Sequence, residues 1–550
     1  MTNLFKSFLA VTFLLLLPVM PVLAGDIYVS PTGDDRADGS RAHPLLTPHQ
    51  ALRMAREWRR TGDSRCRGGI DILLLPGRYE MIEPLFVRPE DSGTADSPTI
   101  IRGTGQTVVC GDAPQRHQQL YPASGMARML DFDRERRVIV VPKAAVSDAV
   151  LYAATQSQHT QPGAQPEQPL SQPEQQLEMV VHQRWATAIL RVKDIKVEDD
   201  RAYVSFLEPE SRLEFEHPWP QPVIGGDRGN SSFLFRLTER RRGIERLVVV
   251  EGTADTPVSY VSLEDLRFED TCWNRPLDFG HVTLQGGFPL VDAYKLQQEG
   301  LPWDAGLENQ AWIERPVAAV SVNWATHVDV VDCRFSQLAA TALDYGVGID
   351  SCTISRNIFQ HIGGTAILAG SFAESPREVH RPYTHLAALC DHLTINRNVI
   401  EEATEEDWGC VGIGCGYVRY VHITGNTVKG VNYSGICVGW GWTPEDTGMR
   451  NNLICDNSVT DYARQLYDAG GIYTLSNQPG SAITDNVIGR PGPAPYATND
   501  RGFCIYLDAR TDGYVIDRNL CEPLFGDNHP GPNVRWGMNG RLDDAGPLKR

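Results

Sequence analysis

The hexamer Ile423-Thr424-Gly425-Asn426-Thr427-Val428 returns through the second half of the chain with its Asn and apolar positions kept. Its counterparts are Ser355-Arg356-Asn357-Ile358-Phe359, Ile395-Asn396-Arg397-Asn398-Val399-Ile400, Cys455-Asp456-Asn457-Ser458-Val459, Ile483-Thr484-Asp485-Asn486-Val487-Ile488 and Ile516-Asp517-Arg518-Asn519-Leu520-Cys521. The Asn positions, 357, 398, 426, 457, 486 and 519, are spaced by 41, 28, 31, 29 and 33 residues. Self-similarity at such a period signals a solenoid, because each unit must stack on the next to bury its apolar face. The units are too short, and too rich in Ile, Val and Thr, for helical repeats. Asn at a fixed corner tolerates the left-handed backbone, and stacked Asn side chains bond along a pile. The fold class predicted is all-β, a right-handed parallel β-helix; the alternative is an all-β barrel with coincidental Asn turns.

Residues 1–24 read as a cleavable signal peptide. Lys6 precedes an apolar run from Phe8 to Met20, and Val22-Leu23-Ala24 offers small residues for cleavage. The run is short for a membrane span, although an N-terminal anchor is the alternative. A secreted or periplasmic protein is expected, without membrane attachment once the signal is removed, and monomeric. The formal charge of -18 argues against nucleic acid and anionic membrane as partners. It also disfavours a highly charged anionic polysaccharide. An apolar content of 41% is ordinary for a chain with a sizeable core. Export permits disulfides, but Cys333, Cys352, Cys437, Cys455, Cys504 and Cys521 fall inside repeat strands, where small apolar groups line a coil interior. Most of the 12 cysteines are therefore expected as buried free thiols, with Cys410 and Cys415 the one nearby pair. No CxxC pair is present, so no metal site is assigned.

The β-helix is expected over 25–522. A first strand at Asp26-Ile27-Tyr28-Val29-Ser30 precedes a helix over Thr47 to Arg60, whose Ala51, Leu52, Met54, Ala55 and Trp58 recur at helical spacing. That helix would plug the open end of the coil, since solenoids require caps. Residues 155–176 are rich in Gln and Pro and read as a disordered insertion. They interrupt a stretch, 110–250, with β character but no repeat, which suggests a subdomain. Residues 276–315, with Trp303 and Trp312, form a loop excursion between coils, and such loops carry function. Residues 523–550 read as a Pro- and Gly-rich tail.

A β-helix exposes one flat flank, which loops wall into a groove suited to long polymers. Three consecutive coils carry the aromatic and carboxylate residues that bind sugars: Tyr433 to Trp442, Tyr467 to Thr474 and Phe503 to Arg510. Aligning Gly435-Ile436, Gly471-Ile472 and Cys504-Ile505 turns the isoleucines inward and Cys437, Tyr473, Tyr506 and Asp508 outward. Trp440 and Trp442 alternate with glycines, so both indoles point one way, either as a sugar platform or packed beneath a loop. Tyr473, Tyr506, Asp344 and Arg510 complete the expected substrate-binding set.

Gly439-Trp440-Gly441-Trp442, Asp468-Ala469-Gly470-Gly471-Ile472-Tyr473-Thr474-Leu475 and Ile505-Tyr506-Leu507-Asp508 resemble the right-handed β-helix glycoside hydrolases, a pectate-lyase-like scaffold, and most closely family 141. Ile27-Tyr28-Val29-Ser30-Pro31 and Ser97-Pro98-Thr99-Ile100 are also similar to that group. The resemblance implies α-L-fucosidase or xylanase activity, no required cofactor and two catalytic carboxylates, carried over to Asp468 and Asp508. The family's acidic or Gly-Ser run after the second Asp is replaced here by Ala509-Arg510-Thr511.

A carboxylate pair suits glycoside hydrolysis: one acid protonates the leaving oxygen while the other attacks the anomeric carbon or activates water. On straight strands, however, Asp468 precedes its strand and Asp508 ends the next, some 20 Å apart at about 3.3 Å per residue. A bulge must shift the register for the two to meet. The plainer readings are a turn residue before Gly470-Gly471 for Asp468 and a solvated partner of Arg510 for Asp508. Glu401, Glu402, Glu405, Glu406 and Asp407 read as a solvated charge run, with a sugar-edge or calcium (Ca2+) role as the alternative. His361, His380, His385 and His422 show no metal-ligand spacing. The function expected is a secreted hydrolase of a plant or algal polysaccharide. A lyase or uronan epimerase and a non-catalytic carbohydrate-binding solenoid are the competing readings.

Overall fold

The structure, a computed structural model, describes residues 24–111, 118–121, 126–157, 174–217, 220–294, 311–374, 377–378, 383–498, 502–522, 526–527 and 530–542. The signal segment up to residue 23, most of the Gln- and Pro-rich stretch, and Trp303 lie outside them. The chain is a parallel β-helix. A first strand, Gly25–Val29, pairs in parallel with Ile70–Leu74. Helix α1, Pro48–Thr61, closes that end. Thr47 caps it by accepting from the Gln50 amide, and Gly62 ends it in the left-handed region at φ 66°. Its buried face, Ala51, Leu52, Ala55 and Trp58, covers the first coil, and Arg56 grips the buried Asp91 with two bonds of 2.8–2.9 Å.

The coils from Asn357 onward turn their corner in the same way. Asn357, Asn398, Asn426, Asn457, Asn486, Asn519 and Asn539 form one ladder in which every Nδ2 donates to the next Oδ1 at 2.9–3.0 Å. Each Oδ1 also accepts a backbone N–H from the preceding coil, as Asn426 does from Asn398 at 3.0 Å. The left-handed residue is not the Asn, as the sequence suggested, but the one before it: Arg356, Arg397, Gly425, Asp456, Asp485 and Arg518 all have φ of 53–65°. The corner pair divides the labour, with an exposed left-handed residue turning the chain and a buried Asn binding coil to coil. Inside, Ile354, Ile395, Ile423, Ile454, Ile483 and Ile516 stack in register. Phe268, Phe335 and Phe359 stack with centroids 5.0 and 4.7 Å apart. Burying such a side chain contributes about 1.5–3 kcal/mol.

The strands on either side of these corners, with those of the earlier coils, form one 24-stranded sheet among the described residues. The remaining flank is a separate sheet of ten parallel strands: β1 Leu85–Val87, β2 Val248–Glu251, β3 Ala318–Asn323, β4 Thr341–Tyr345, β5 Ile367–Ala369, β6 Ile413–Cys415, β7 Ile436–Val438, β8 Ala469–Thr474, β9 Gly502–Leu507 and β10 Gly526–Asp527. The stack continues into the expected tail, where Arg535–Trp536 and Gly540–Arg541 add another coil.

The stretch between 110 and 250 folds as an antiparallel sheet of eight strands running from Gln118–Tyr121 to Ser232–Glu239. Helices Asp148–Ser157 and Glu210–Glu216 accompany it. Its core runs on without a break into the ten-stranded flank, through Val282, Leu284 and Phe288 to Leu368, Phe372, Tyr417 and Trp440. All 12 cysteines are free thiols. The Cys410–Cys415 pairing does not form, because Cys415 lies within β6 and packs into the coil interior.

Candidate functional site

The register of the ten-stranded flank pairs Ile436 with Ile472 and Ile505, all buried, and sets Cys437, Tyr473 and Tyr506 side by side on the outer face. The two tyrosine rings meet edge to face at 5.3 Å. Their hydroxyls then cross. Tyr473, on β8, donates to Asp508 Oδ2 of the next coil. Tyr506, on β9, donates back to Asp468 Oδ1 at 3.0 Å. The aspartates that straight strands would hold far apart are thus tied to one tyrosine pair.

The strand is not straight where it matters. Asp468 sits in the left-handed region at φ 60°. At Gly470 the chain kinks so sharply that a Cβ would come within 2.6 Å of the Ile472 carbonyl and 3.0 Å of Tyr506 Cβ. Only glycine fits there, and its missing side chain is what lets Tyr506 lie across toward Asp468. Asp508 follows the last residue of β9, where its carbonyl accepts from the Thr511 amide at 2.9 Å in a turn with Arg510 left-handed at φ 64°. Asp468, Asp508 and Arg510 are half-buried, and Tyr473 and Tyr506 are buried.

Two further residues complete the network. The Gln285 amide donates at 3.3 Å to the hydroxyls of both Tyr433 and Tyr473, and Tyr433 donates to the Asp468 carbonyl at 3.1 Å. The carboxylate can only accept, so Tyr473 spends its single proton on Asp508 and can take only a donor from Gln285. That logic fixes which end of the Gln285 amide faces the tyrosines. Burial, reinforced for Tyr473 by the Asp508 charge, pushes both phenols far above their ordinary value. They remain donors throughout the working pH range.

Sequence reasoning missed Gln285 and Tyr433. Gln285 sits in the excursion singled out as functional, but only the following Gly286-Gly287 turn hinted at an inward-pointing tip. Tyr433 opens the first quoted aromatic segment, 40 residues before Tyr473, and nothing in its position along the chain shows that it lies beside that residue.

The other expected residues divide. Trp442 is half-buried against the Tyr473, Leu475 and Tyr506 cluster, at the rim. Trp440 is buried: its ring lies 5.1 Å from Phe372, 5.7 Å from Phe288 and 4.8 Å from Trp442. It packs beneath Phe288 of the excursion and beside Phe372, the loop-covered alternative, and edges a small cavity shared with Tyr433 and Tyr473. Asp344 occupies the position in line with Tyr473, through Leu368, Gly414 and Cys437. It is nevertheless buried and held by Arg315 through two bonds of 2.6 Å, apart from the aspartate pair.

The acidic run is not a solvated edge. Glu402 pairs with Arg464 at 2.5 Å, Glu405 with His361 at 2.9 Å and Glu406 with Arg236 at 3.5 Å. Asp407 is buried. Burial works against its charge, but the His281 ring at 2.8 Å and the Gly409 amide outweigh it and hold the carboxyl below its ordinary value. Among the described residues Asp350, Asp391 and His392 bring three ligand atoms within 4.8 Å, but Arg419 holds Asp391 at 2.6 Å.

Residues 101–239 match the family model of the glycoside hydrolase family 141 insertion domain. A solved structure described as a glycoside hydrolase is 33% identical, with a TM-score of 0.85, over 95% of this chain and 98% of its own. A complex of XylC with xylose is 12% identical, with a TM-score of 0.43, over 91% and 69%. The glycoside hydrolase family 136 lacto-N-biosidase of Eubacterium ramulus is 10% identical, with a TM-score of 0.30, over 93% and 68%. No curated protein matches the chain. The lyase, epimerase and purely binding readings give way to hydrolysis, because the full-length match is to a glycoside hydrolase and the insertion domain is one found in such enzymes. The chain is a β-helix glycoside hydrolase that carries the insertion domain of family 141.

Proposed function

We propose that Asp468 and Asp508 are the catalytic carboxylates of a secreted glycosidase acting on neutral, fucoside- or xylan-type units of a plant or algal polysaccharide. The observation that carries this reading is the crossed pairing, in which Tyr473 donates to Asp508 and Tyr506 to Asp468. Such fixed donors orient each carboxyl toward the outer face of the flank. One group then protonates the leaving oxygen, while the other attacks the anomeric carbon or activates water. The acidic surface favours a neutral sugar over a uronate. Lys6, the apolar run and Val22-Leu23-Ala24 support export.

Asp468→Asn and Asp508→Asn keep shape and remove the acid–base function. Each is expected to lower kcat on para-nitrophenyl glycosides by about 100-fold or more with an unchanged circular dichroism spectrum. Full turnover by either folded variant would remove that aspartate from the chemistry.

A further inference from the structure

A cleft of about 210 Å³ is lined by neither aspartate. It opens where the chain enters β3 to β6, with Val317, Thr341, Gly364 and Cys410 in its lining. Asp468 stands at the same edge, immediately before β8. β5 and β4 are three and four strands from β8, roughly 14–19 Å at about 4.8 Å per strand. The tip of the excursion lies between the two places: Gly287 lines the cleft, while Gln285 reaches the tyrosine network.

Polar groups without a protein partner gather here. Thr341 is 1% exposed and its Oγ1 is unpaired, His281 is 2% exposed and its Nδ1 is unpaired, and Arg275 Nε is unpaired as well. Most charges around the cleft, by contrast, are matched, and exposed Arg246 lies near enough to Glu245 to act on its charge. Arg275 pairs with Glu314, Asp278 with Arg240, Asp407 with His281 and Arg315 with Asp344. Burial raises the Glu245 carboxyl toward its neutral form. Such a lining offers little excess charge to hold an anion or a metal ion. It does offer hydrogen-bonding groups beside two aromatic planes, half-buried Trp273 and Phe279, which is 56% exposed. This is the chemistry that recognises a sugar ring.

We propose that this cleft is a second glycan-binding site that holds neutral glycosyl units of the same substrate chain, three to four strands along the flank from the bond cleaved. The inference rests on the proposed glycosidase reading, and its test separates the two. Trp273→Ala and Phe279→Ala are assayed on para-nitrophenyl α-L-fucoside and β-xyloside, too short to reach the cleft, and on soluble xylan and fucosylated xyloglucan. Retardation in gels containing each polymer is measured in the Asp508→Asn background, so binding is read without turnover. The cleft variants are expected to lose about tenfold or more in kcat/KM on the polymer, through KM, and most of the gel retardation. Aryl glycoside turnover stays within about twofold of wild type. Equal effects on short and long substrates, no effect on either, or no retardation of Asp508→Asn in either gel would overturn the cleft. Turnover by Asp508→Asn alongside polymer-selective losses in the cleft variants would overturn the aspartate assignment and leave the cleft standing.

Discussion

Tyr473 acts through its single proton. Gln285 donates to its oxygen at 3.3 Å, so the proton is committed to Asp508. A hydrogen bond to a charged group contributes about 1.5–3 kcal/mol. Tyr473→Phe is therefore expected to lower kcat by about 10- to 100-fold with little change in KM, read in steady-state kinetics on an aryl glycoside. Because the phenol stays protonated, the variant should leave the alkaline limb of the pH profile in place, which a titrating tyrosine would move. At this scale the sequence was informative about which residues and weak on their surroundings. The outward alternation of Tyr473, Tyr506 and Asp508 followed from period two alone. The burial of Trp440 did not, because the residues that cover it, Phe288 and Phe372, are 152 and 68 positions away in sequence.

The corner of each coil shows what an element-level pattern can and cannot disclose. The Asn repeat predicted the ladder and the stacking direction, since only a residue with both a donor and an acceptor can link to identical neighbours on both sides. It misplaced the left-handed residue by one, because Arg, Asp and Gly share no side-chain signature at the preceding position. Asn426→Ala removes the acceptor for both the backbone N–H and the Nδ2 of Asn398. Each orphaned group costs about 1–3 kcal/mol, so a clear fall in the urea midpoint is expected. A comparable change at exposed Lys429, one coil face away, should leave the midpoint almost unmoved. Asp468 and Gly470 carry the opposite lesson. Asp468 turns left-handed just before a strand whose register with β9 is unshifted, and counting residues along an ideal strand kept the two aspartates apart. The irregularity is the feature that brings them to one tyrosine pair.

On the scale of the whole molecule, the insertion and the coil are held together by buried polar contacts as well as by the shared core. Arg236 bridges Glu178 of the insertion to Glu406 of the coil at 2.6 and 3.5 Å. His182, at the end of strand Gln175–His182, is fully buried with Nε2 2.7 Å from the Gln465 carbonyl, three residues before Asp468. No repeat announced this arrangement, because a sheet without self-similarity leaves only local β character in its sequence. Burial lowers the His182 imidazole to about 4, so the native state binds its proton less readily than the unfolded chain does. A depressed base of this kind contributes stability that is complete above the unfolded value near 6.5 and is lost as pH falls toward 4. The shift corresponds to about 3 kcal/mol. Glu210 and Glu214, raised by burial, act in the opposite sense, so the informative quantity is the difference between wild type and His182→Gln. Wild type is expected to lose more Tm than the variant between pH 7 and about pH 4.5, and the kcat of wild type should fall over the same window as the segment before Asp468 loosens. Parallel Tm curves for the two proteins would show that His182 is not the group through which acid reaches the interface between insertion and coil.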